Sequence, residues 1–350
     1  MTARPPLAVL GPTGYTGRLV VAEARRAGLP LRLVGRRRDA LEALAGAGDE
    51  IAVADARDEA ALRGAFYGAF AVVSCAGPFL ELGPAPVAAA LAAGAHYLDS
   101  SGEQAWVLLL QERFGERARE RGVAVCPCFG FDYVPGDVAA RLQPLGREPL
   151  DELLVAYSVT DASGSRGTKR TAARILAQPL VAFVDGRLVP TRFGAETRTM
   201  RFPFGDRAVA EWCGAEPLTV PRHTRVRTVR SFVRAPAAAR RLGRLLPRAA
   251  PLVRLAARLS RFGPPDAERA GARFAVVAEA RGPAGGRRVT LTGSDMYLLT
   301  ARALVAGAGL LLAGEGRASG VVAPAEVFDA RLLLERLGPL CRLEAAEPLG

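Results

Sequence analysis

The chain contains 350 residues, of which 50% are hydrophobic and 23% are charged, and its formal net charge is +12. This length fits two domains with cores of their own, and the apolar content excludes an intrinsically disordered chain. The longest apolar run, residues 303–313, is well short of the roughly 20 residues that a membrane-spanning helix needs. The first residues do not have the pattern of a signal peptide, so we expect a cytoplasmic protein.

The positive charge does not by itself indicate a nucleic-acid partner. Arginine, alanine, glycine, leucine and valine are abundant, whereas lysine occurs once and asparagine is absent. Such a bias is typical of a GC-rich genome, which enriches arginine irrespective of function. The arginines are spread along the chain, and only 6% of the residues are aromatic, whereas nucleic-acid grooves combine both types locally. We expect no nucleic-acid partner.

The cysteines and histidines indicate neither a disulfide framework nor a metal site. The five cysteines are odd in number and irregularly spaced, so they are predicted to be free, buried thiols. Cys126 and Cys128 have no second pair or histidine nearby that would complete a zinc site. We therefore expect no metal.

The first third of the chain alternates between short apolar runs and helical patterns. Strands are predicted at residues 7–11, 31–35, 51–53, 71–75, 96–98 and 123–126, and helices at 16–27, 39–45, 58–67, 86–93 and 104–121. This alternation implies crossover connections and a parallel sheet that is covered on both faces. We predict a doubly wound α/β domain.

The pattern changes after Phe129 to that of an α+β domain. Residues 181–200 and 219–234 alternate between polar and apolar side chains, which is typical of antiparallel strands, and residues 273–294 predict a hairpin around the loop 282–286. The chain becomes helical again at residues 297–313.

A glycine-rich turn, residues 11–17 with the sequence GPTGYTG, connects the first predicted strand to the first helix. Gly11 allows a tight turn, Gly14 lets the backbone approach a diphosphate, and Gly17 lets the helix pack closely on the strand. A plain strand–helix turn is the alternative, but it needs only one small residue. The position of the motif, at the first junction of a six-stranded sheet, indicates a Rossmann-type dinucleotide site.

The residues after the second predicted strand favour NADP(H) over NAD(H). NAD sites present an acidic residue about 20 residues after the glycines. This chain instead has Arg36, Arg37 and Arg38 directly after the second predicted strand, and the first acidic residue after that strand is Asp39. Guanidinium groups suit the 2′-phosphate of NADP, although an exposed basic turn is the alternative.

Two other segments follow strands that would border the cofactor. Asp55, after the third strand, would reach the adenine, or alternatively cap the next helix. Residues 76–79, after the fourth strand, are small enough for close approach to the nicotinamide, with Phe79 as a wall for the ring.

With the motifs GPTGYTG, GRR, SCAGPF, GAHYLDSSGE and CFGFDYVPGD, the chain resembles the saccharopine dehydrogenase-like reductases, particularly their branch of bacterial trans-acting enoyl reductases. The resemblance is specific over residues 7–140. It is looser beyond them, where SGSRGTKRT and GVVAPAEVFDARLLLERL carry it. Members of this family act on very different substrates, so the resemblance does not identify one. True saccharopine reductases bind a dicarboxylate, and the middle of this chain does not match their substrate-binding pattern.

The resemblance implies a Rossmann domain at residues 1–130, an inserted α+β substrate or dimerisation domain at 131–317, and a C-terminal segment, 318–350, that returns to the first domain. It further implies three sets of cofactor contacts. Those to the diphosphate are Gly11, Thr13, Gly14, Tyr15, Thr16 and Gly17, those to the 2′-phosphate are Arg36 and Arg37, and those to the nicotinamide are Cys75, Ala76, Gly77, Pro78 and Phe79.

A reductase needs a proton source in addition to the hydride that the cofactor carries. The candidates at predicted strand ends and at the domain junction are His96, Tyr97, Asp99, Ser100, Glu103, Asp132 and Tyr133. We favour Tyr133 as the donor, with Asp132 beside it, and the alternative for each candidate is a capping or hinge role. Lys169 lies at a predicted helix start, where a cation opposes the helix macrodipole and therefore needs another reason to be present. An anionic group of the substrate would be such a reason, and a solvated turn is the alternative.

Residues 236–262 combine leucines at near-helical spacing with seven arginines, and Pro247 and Pro251 divide them into two short helices. Four interpretations of this segment remain open: a flap over an apolar channel, a basic docking face for an acidic carrier protein, an interfacial membrane helix, or ordinary surface helices.

The leading hypothesis is an NADPH-dependent reductase of the C=C bond in a hydrophobic or carrier-bound enoyl substrate. An imine or amino-acid reductase of the saccharopine type and a non-catalytic NADP-binding protein are the alternatives. The expected partner is a small-molecule or acyl-carrier-bound substrate. Peripheral membrane contact is not favoured, and a homodimer is left open.

Overall fold

The computed structural model of the chain describes residues 4–143, 149–160, 165, 180–212, 214–235, 238 and 263–349. The chain divides into two compact units, each built from three segments. Unit 1 comprises Met1–Ser101, Trp106–Phe131 and Tyr297–Asp329, and unit 2 comprises Gly102–Ala105, Asp132–Met296 and Ala330–Gly350. This grouping differs from the expected boundaries, because residues 297–317 belong to unit 1 and residues 330–350 to unit 2.

Unit 1 contains a seven-stranded sheet in which every pair of neighbours is parallel. Its strands are β1 (Leu7–Leu10), β2 (Leu31–Gly35), β3 (Glu50–Val53), β4 (Ala71–Ser74), β5 (His96–Asp99), β6 (Ala124–Cys126) and β15 (Gly320–Val321), in the spatial order β15-β6-β5-β4-β1-β2-β3. The chain order reverses between β1 and β4, which is the topological switch point of a doubly wound sheet.

The helices of unit 1 follow the strands in the order that crossover connections require. They are α1 (Tyr15–Arg26), α2 (Arg38–Glu42), α3 (Glu59–Phe66), α4 (Phe79–Leu82), α5 (Pro84–Ala93), α6 (Gln104–Glu120), α10 (Met296–Leu312) and α11 (Pro324–Val327), although the first two residues of α6 and the first of α10 are grouped with unit 2. All four residues of β1 and of β4 are buried, as apolar strands covered on both faces should be.

Unit 2 contains a nine-stranded mixed sheet. Its strands are β7 (Leu150–Thr160), β8 (Leu180–Val184), β9 (Arg187–Thr191), β10 (Thr197–Phe202), β11 (Gly205–Glu211), β12 (Val226–Arg234), β13 (Arg273–Gly282), β14 (Gly285–Ser294) and β16 (Cys341–Pro348), and its helices include α7 (Val134–Arg141), α8 (Glu216–Thr219), α9 (Asp266–Gly271) and α12 (Ala330–Leu337). Among the strands of unit 2 that the structure describes, β7 and β12 pair in parallel and the other pairs are antiparallel.

The predicted fold class, a doubly wound parallel sheet with an inserted α+β section, is confirmed. The six predicted parallel strands are all present, and so is the predicted hairpin, as β13 and β14. The sequence pattern missed β15, which is a strand of only two residues. Lys169 and, apart from Ala238, residues 236–262 lie outside the described residues. Within the described part of the chain, no helix is both long enough and apolar enough to cross a bilayer.

Candidate functional site

The glycine-rich turn between β1 and α1 has the backbone geometry of an anion cradle. Gly11 has a φ of +77°, which favours glycine. At Gly17 a Cβ atom would lie 2.2 Å from the carbonyl oxygen of Gly11 and 2.9 Å from the Cα of Pro12. Both contacts are with backbone that cannot move away cheaply, so only glycine lets α1 begin this close to the end of β1.

The same turn is open to a ligand at the start of α1. Gly14 is the N-cap residue and provides no capping side chain, and the first turn of the helix contains no acidic residue. By helix geometry, the first amide groups of α1 have no intrahelical acceptor and carry the positive end of the helix dipole. Thr13, Tyr15 and Thr16 are partly exposed, whereas Gly17 is buried. These features fit the diphosphate of a dinucleotide.

The loop after β4 lies directly against this turn. The amide of Cys75 donates to the carbonyl oxygen of Leu10 (2.9 Å), and a Cβ added at Gly11 would lie 3.3 Å from the Cβ of Ala76. Burial raises the pKa of the Cys75 thiol to about 12, so this cysteine is a neutral group at physiological pH. The structure thus brings the predicted diphosphate and nicotinamide segments together in unit 1.

Phe79 differs from the other predicted nicotinamide contacts because it is part of the core of unit 1. It is 6% exposed, and its ring centroid lies 6.5 Å from that of Trp106. The remaining members of the loop, Cys75 to Pro78, are partly or fully exposed. They leave the small, accessible surface that close approach of a ring requires.

The arginines after β2 lie at the same end of the sheet as the glycine turn. Arg36 extends into solvent, with a side chain 70% exposed, and Nη1 lies 4.0 Å from a carboxylate oxygen of Asp55. Asp55 also accepts the amide N–H of Arg57 (2.9 Å). The N-cap of α3 is Asp58, which accepts from the amide of Ala61 (3.0 Å), so Asp55 does not have the alternative capping role.

Asp132 and Tyr133 precede α7 in unit 2 and have different surroundings. Tyr133 is 1% exposed and occupies the N-cap position of α7. Asp132 has an exposed side chain, yet the protein atoms around it partly desolvate its carboxyl group and raise the pKa to about 6. Asp132 therefore retains a proton more readily than an ordinary aspartate.

The carboxyl group of Glu216 is buried next to α7, and no pattern in the sequence predicts it as a candidate site residue. Both oxygens of Glu216 accept hydrogen bonds, from Tyr157 Oη (2.5 Å) and Ser231 Oγ (2.6 Å). Tyr157 Oη in turn accepts the amide N–H of Gly136 in the first turn of α7 (3.1 Å). Burial raises the pKa of Glu216 to about 7, although both hydroxyl donors lower it. The four residues come from four separate elements, so no local spacing reveals the cluster.

His223 and Asp137 form a second buried contact in unit 2, with 2.9 Å between Nε2 and a carboxylate oxygen. The other ring nitrogen of His223 lies 3.0 Å from Thr224 Oγ1, so both nitrogens are engaged within the protein. These contacts give His223 a structural role. The parts of the chain that the structure describes contain no cluster of three His, Cys, Asp or Glu side chains that could hold a metal ion.

Two of the candidates in the segment around β5, Asp99 and His96, have structural contacts. Asp99 is fully buried and accepts hydrogen bonds from Ser101, from Trp106 Nε1 (2.7 Å) and from the amide of Cys128 (3.0 Å). Burial raises its pKa, and these donors oppose the shift. His96 Nδ1 accepts the amide N–H of Ala124 (3.0 Å), and burial lowers the histidine pKa. Asp99 thus ties the loops after β5 and β6 together.

Comparison with known proteins identifies the cofactor class. Residues 11–98 match the NAD(P)H-binding family. Because this match contains the glycine turn, the arginines after β2 and the loop after β4, unit 1 is an NAD(P)H-binding domain of Rossmann type.

The relatives to which this domain is similar include saccharopine dehydrogenase-like oxidoreductases. A saccharopine dehydrogenase-like oxidoreductase of Homo sapiens is 28% identical over 152 residues, 38% of this chain and 35% of the relative. A lipid droplet localized protein of Caenorhabditis elegans is 32% identical over 153 residues, 40% of this chain and 36% of the relative. A Mycobacterium tuberculosis protein that is provisionally named a trans-acting enoyl reductase is 32% identical over 150 residues, 40% of this chain and 36% of the relative.

The fold is similar to that of a solved saccharopine dehydrogenase. The enzyme from Saccharomyces cerevisiae, an L-Glu-forming one in the apo state, aligns with a TM-score of 0.65 over 99% of this chain and all of that chain, at 14% identity. The sequence matches, in contrast, span about a third of the length of the relatives. The predicted resemblance to the saccharopine dehydrogenase-like family is confirmed.

Proposed function

We propose that the chain is an NADPH-dependent oxidoreductase that reduces the C=C bond of a hydrophobic or carrier-bound enoyl substrate. The glycine turn carries this proposal, because its close contacts at Gly11 and Gly17 and its open helix start suit a dinucleotide diphosphate. The similarity to a protein provisionally named a trans-acting enoyl reductase supports the choice of substrate class.

The preference for NADPH is assigned to Arg36 and Arg37. Arg36 is exposed beside the end of β2, and no acidic side chain lies between the end of β2 and Asp39. A 2′-phosphate would replace the long 4.0 Å contact of Arg36 with Asp55 by charge-assisted hydrogen bonds. Each such bond contributes about 1.5–3 kcal/mol.

The bound cofactor supplies a hydride, and the substrate then needs a proton. In the proposed reaction the hydride adds to the β-carbon of an α,β-unsaturated thioester, and a proton adds to the α-carbon, giving the saturated thioester and NADP⁺. Residues 75–78 would border the ring that donates the hydride. Asp132 would supply the proton, since its pKa is raised to about 6 and it retains a proton more readily than an ordinary aspartate. Tyr133, the donor that the sequence favours, is buried and would instead fix the start of α7. Lys169 is proposed to bind an anionic group of the substrate.

The cofactor assignment predicts selective loss of NADPH affinity. In fluorescence titrations, replacing both Arg36 and Arg37 by Ala should weaken NADPH binding roughly 100-fold while leaving NADH binding within about twofold of wild type. Arg63→Ala is the matched control, since it removes an exposed arginine that pairs with Glu59 on α3. Equal affinity of the wild-type chain for NADPH and NADH would contradict the assignment.

The substrate class is tested by mixing the intact chain and NADPH with an α,β-unsaturated acyl thioester of coenzyme A. Oxidation of NADPH with formation of the saturated thioester is expected. Turnover of saccharopine with NADP⁺ instead would favour an amino-acid reductase. Tight NADPH binding without turnover of either compound would favour a non-catalytic NADP-binding protein.

A further inference from the structure

The glycine turn contains one large side chain, that of Tyr15, and this side chain contacts a tyrosine from the other end of the sequence. The Tyr15 and Tyr297 rings meet edge to face, with centroids 5.0 Å apart and planes at 87°. Tyr297 lies in the first turn of α10 and is half-buried. Both residues belong to unit 1.

Helix α10 is fixed in register on unit 1 by contacts farther along its length. Arg302 forms an ion pair with Glu23 of α1, and the Glu23 side chain is almost completely buried. Thr300 Oγ1 accepts the amide N–H of Phe131 (3.0 Å). At Gly307 a Cβ atom would lie 2.8 Å from the ring of Phe129, so the helix packs closely at this point. These contacts prevent α10 from sliding, and Tyr297 therefore has a fixed position.

A turn with three glycines has much conformational freedom and needs contacts that hold it in one geometry. Within the turn, Arg18 Nε donates to the carbonyl oxygen of Thr13 (3.2 Å), and the amide of Gly14 donates to that of Gly11 (3.2 Å). The Tyr15–Tyr297 contact adds a side-chain constraint from outside, at the first residue of α1. Preorganised binding sites lose less entropy when the ligand binds.

We propose that Tyr297 is a positioning residue for the nucleotide site, which holds Tyr15, and through it the diphosphate-binding turn, in the binding geometry. The proposal depends on the proposed function, because it assumes a dinucleotide at this turn. It assigns to the cofactor site a residue from the C-terminal part of the chain that lies outside the matched segment 11–98.

The test is fluorescence titration of the intact chain with NADPH and, separately, with NADH. Tyr297→Ala should weaken the binding of NADPH and of NADH by the same factor, about three- to tenfold. The factor is the same because both nucleotides contain the diphosphate, and its size is that of an aromatic contact. Tyr297→Phe keeps the ring and should bind as wild type. Tyr67→Ala is the control, since it removes a tyrosine of unit 1 that is 79% exposed, and it should also bind as wild type.

Two results would overturn the proposal. One is unchanged affinity in Tyr297→Ala, and the other is equal weakening in Tyr297→Phe and Tyr297→Ala, which would assign the effect to the hydroxyl group. If thermal unfolding shows that Tyr297→Ala does not fold, Tyr297→Leu replaces it in the titrations. The expected weakening of NADPH and NADH binding is the same, and the same results would overturn the proposal. A wild-type chain that binds neither nucleotide would refute the proposed function itself, which is a separate result from unchanged affinity in the variant.

Discussion

At the scale of single residues, burial and hydrogen bonding separate structural carboxylates from those available for chemistry. Asp99 and Asp132 are both candidates by sequence, but Asp99 is fully buried among donors that hold the loops after β5 and β6. Asp132 has an exposed side chain and a pKa raised to about 6. The sequence alone does not distinguish them, because donors to Asp99 include groups that follow it by seven and 29 residues.

The glycines of unit 1 provide a matched pair of substitutions. Gly17→Ala places a methyl group against the backbone of Gly11 and Pro12, and should weaken NADPH binding at least tenfold and destabilise the chain by about 1–3 kcal/mol. Gly64→Ala, in α3, meets no atom within 4 Å and should stabilise the chain by about 0.5–1 kcal/mol without changing affinity. Urea unfolding and NADPH titration measure both effects. Wild-type affinity in Gly17→Ala would contradict the assigned role of the turn.

At the scale of elements, the Glu216 cluster joins four of them in unit 2. Glu216 begins α8, Tyr157 lies on β7, Ser231 lies on β12, and Gly136 lies in α7. A Cβ atom at Gly136 would lie 2.3 Å from Glu216 Oε1, so the glycine makes room for the carboxyl group. The cluster thereby fixes the first turn of α7, directly after Asp132 and Tyr133.

This cluster makes stability depend on pH with a defined sign. The pKa of Glu216 is raised from its ordinary 4.5 to about 7, mainly by burial. The folded chain therefore binds this proton more tightly than the unfolded chain, and the contribution to stability is complete below the unfolded pKa and is lost as the pH rises through the folded pKa.

Glu216→Gln removes this titration and keeps a hydrogen-bonding side chain. Relative to wild type, the free energy of unfolding of Glu216→Gln should increase by about 2 kcal/mol between about pH 5 and about pH 8. Urea unfolding at several pH values measures the difference, in which the contributions of titrating groups common to both chains largely cancel. Glu42→Gln, at an exposed carboxyl group, should show no such trend. A pH-independent difference for Glu216→Gln would refute the assigned titration.

At the scale of the whole molecule, neither unit is a continuous stretch of chain. Unit 1 takes α10 and β15 from the C-terminal part of the sequence, where β15 pairs with β6 and the rings of Phe129 and Phe328 meet with centroids 5.8 Å apart. Unit 2 is completed by β16, which pairs with β14. The core of unit 1 therefore forms only when segments separated by more than a hundred residues come together.

A fragment of residues 1–131 should consequently fail to fold stably, although it contains the glycine turn and six of the seven parallel strands. Without α10 and β15, the fragment exposes Phe129 and Leu98, which are otherwise buried. Circular dichroism and limited proteolysis of the fragment and of the intact chain test this. A fragment with a cooperative thermal transition and NADPH affinity equal to that of the intact chain would show that the C-terminal segments are dispensable.

Local patterns were sufficient for the parallel sheet and the nucleotide-binding turn. Apolar runs in β1 and β4 mark strands buried on both faces, and the spacing of Gly11, Gly14 and Gly17 reflects contacts between residues close in sequence. The hairpin of β13 and β14 was predictable for the same reason. The positions around the turn of the residues that the family resemblance implies as cofactor contacts also follow from this local geometry. The roles of these residues remain proposals.

The doubly wound architecture and the nucleotide turn were predictable from the amino-acid order, because both arise from short-range periodicity and from the steric needs of neighbouring residues. Long-range packing, in contrast, fixes which segments complete each unit, brings Tyr297 against Tyr15, and buries Glu216 against Tyr157 and Ser231. These contacts join residues from 15 to 282 positions apart, and long-range packing leaves no periodic trace in a single sequence.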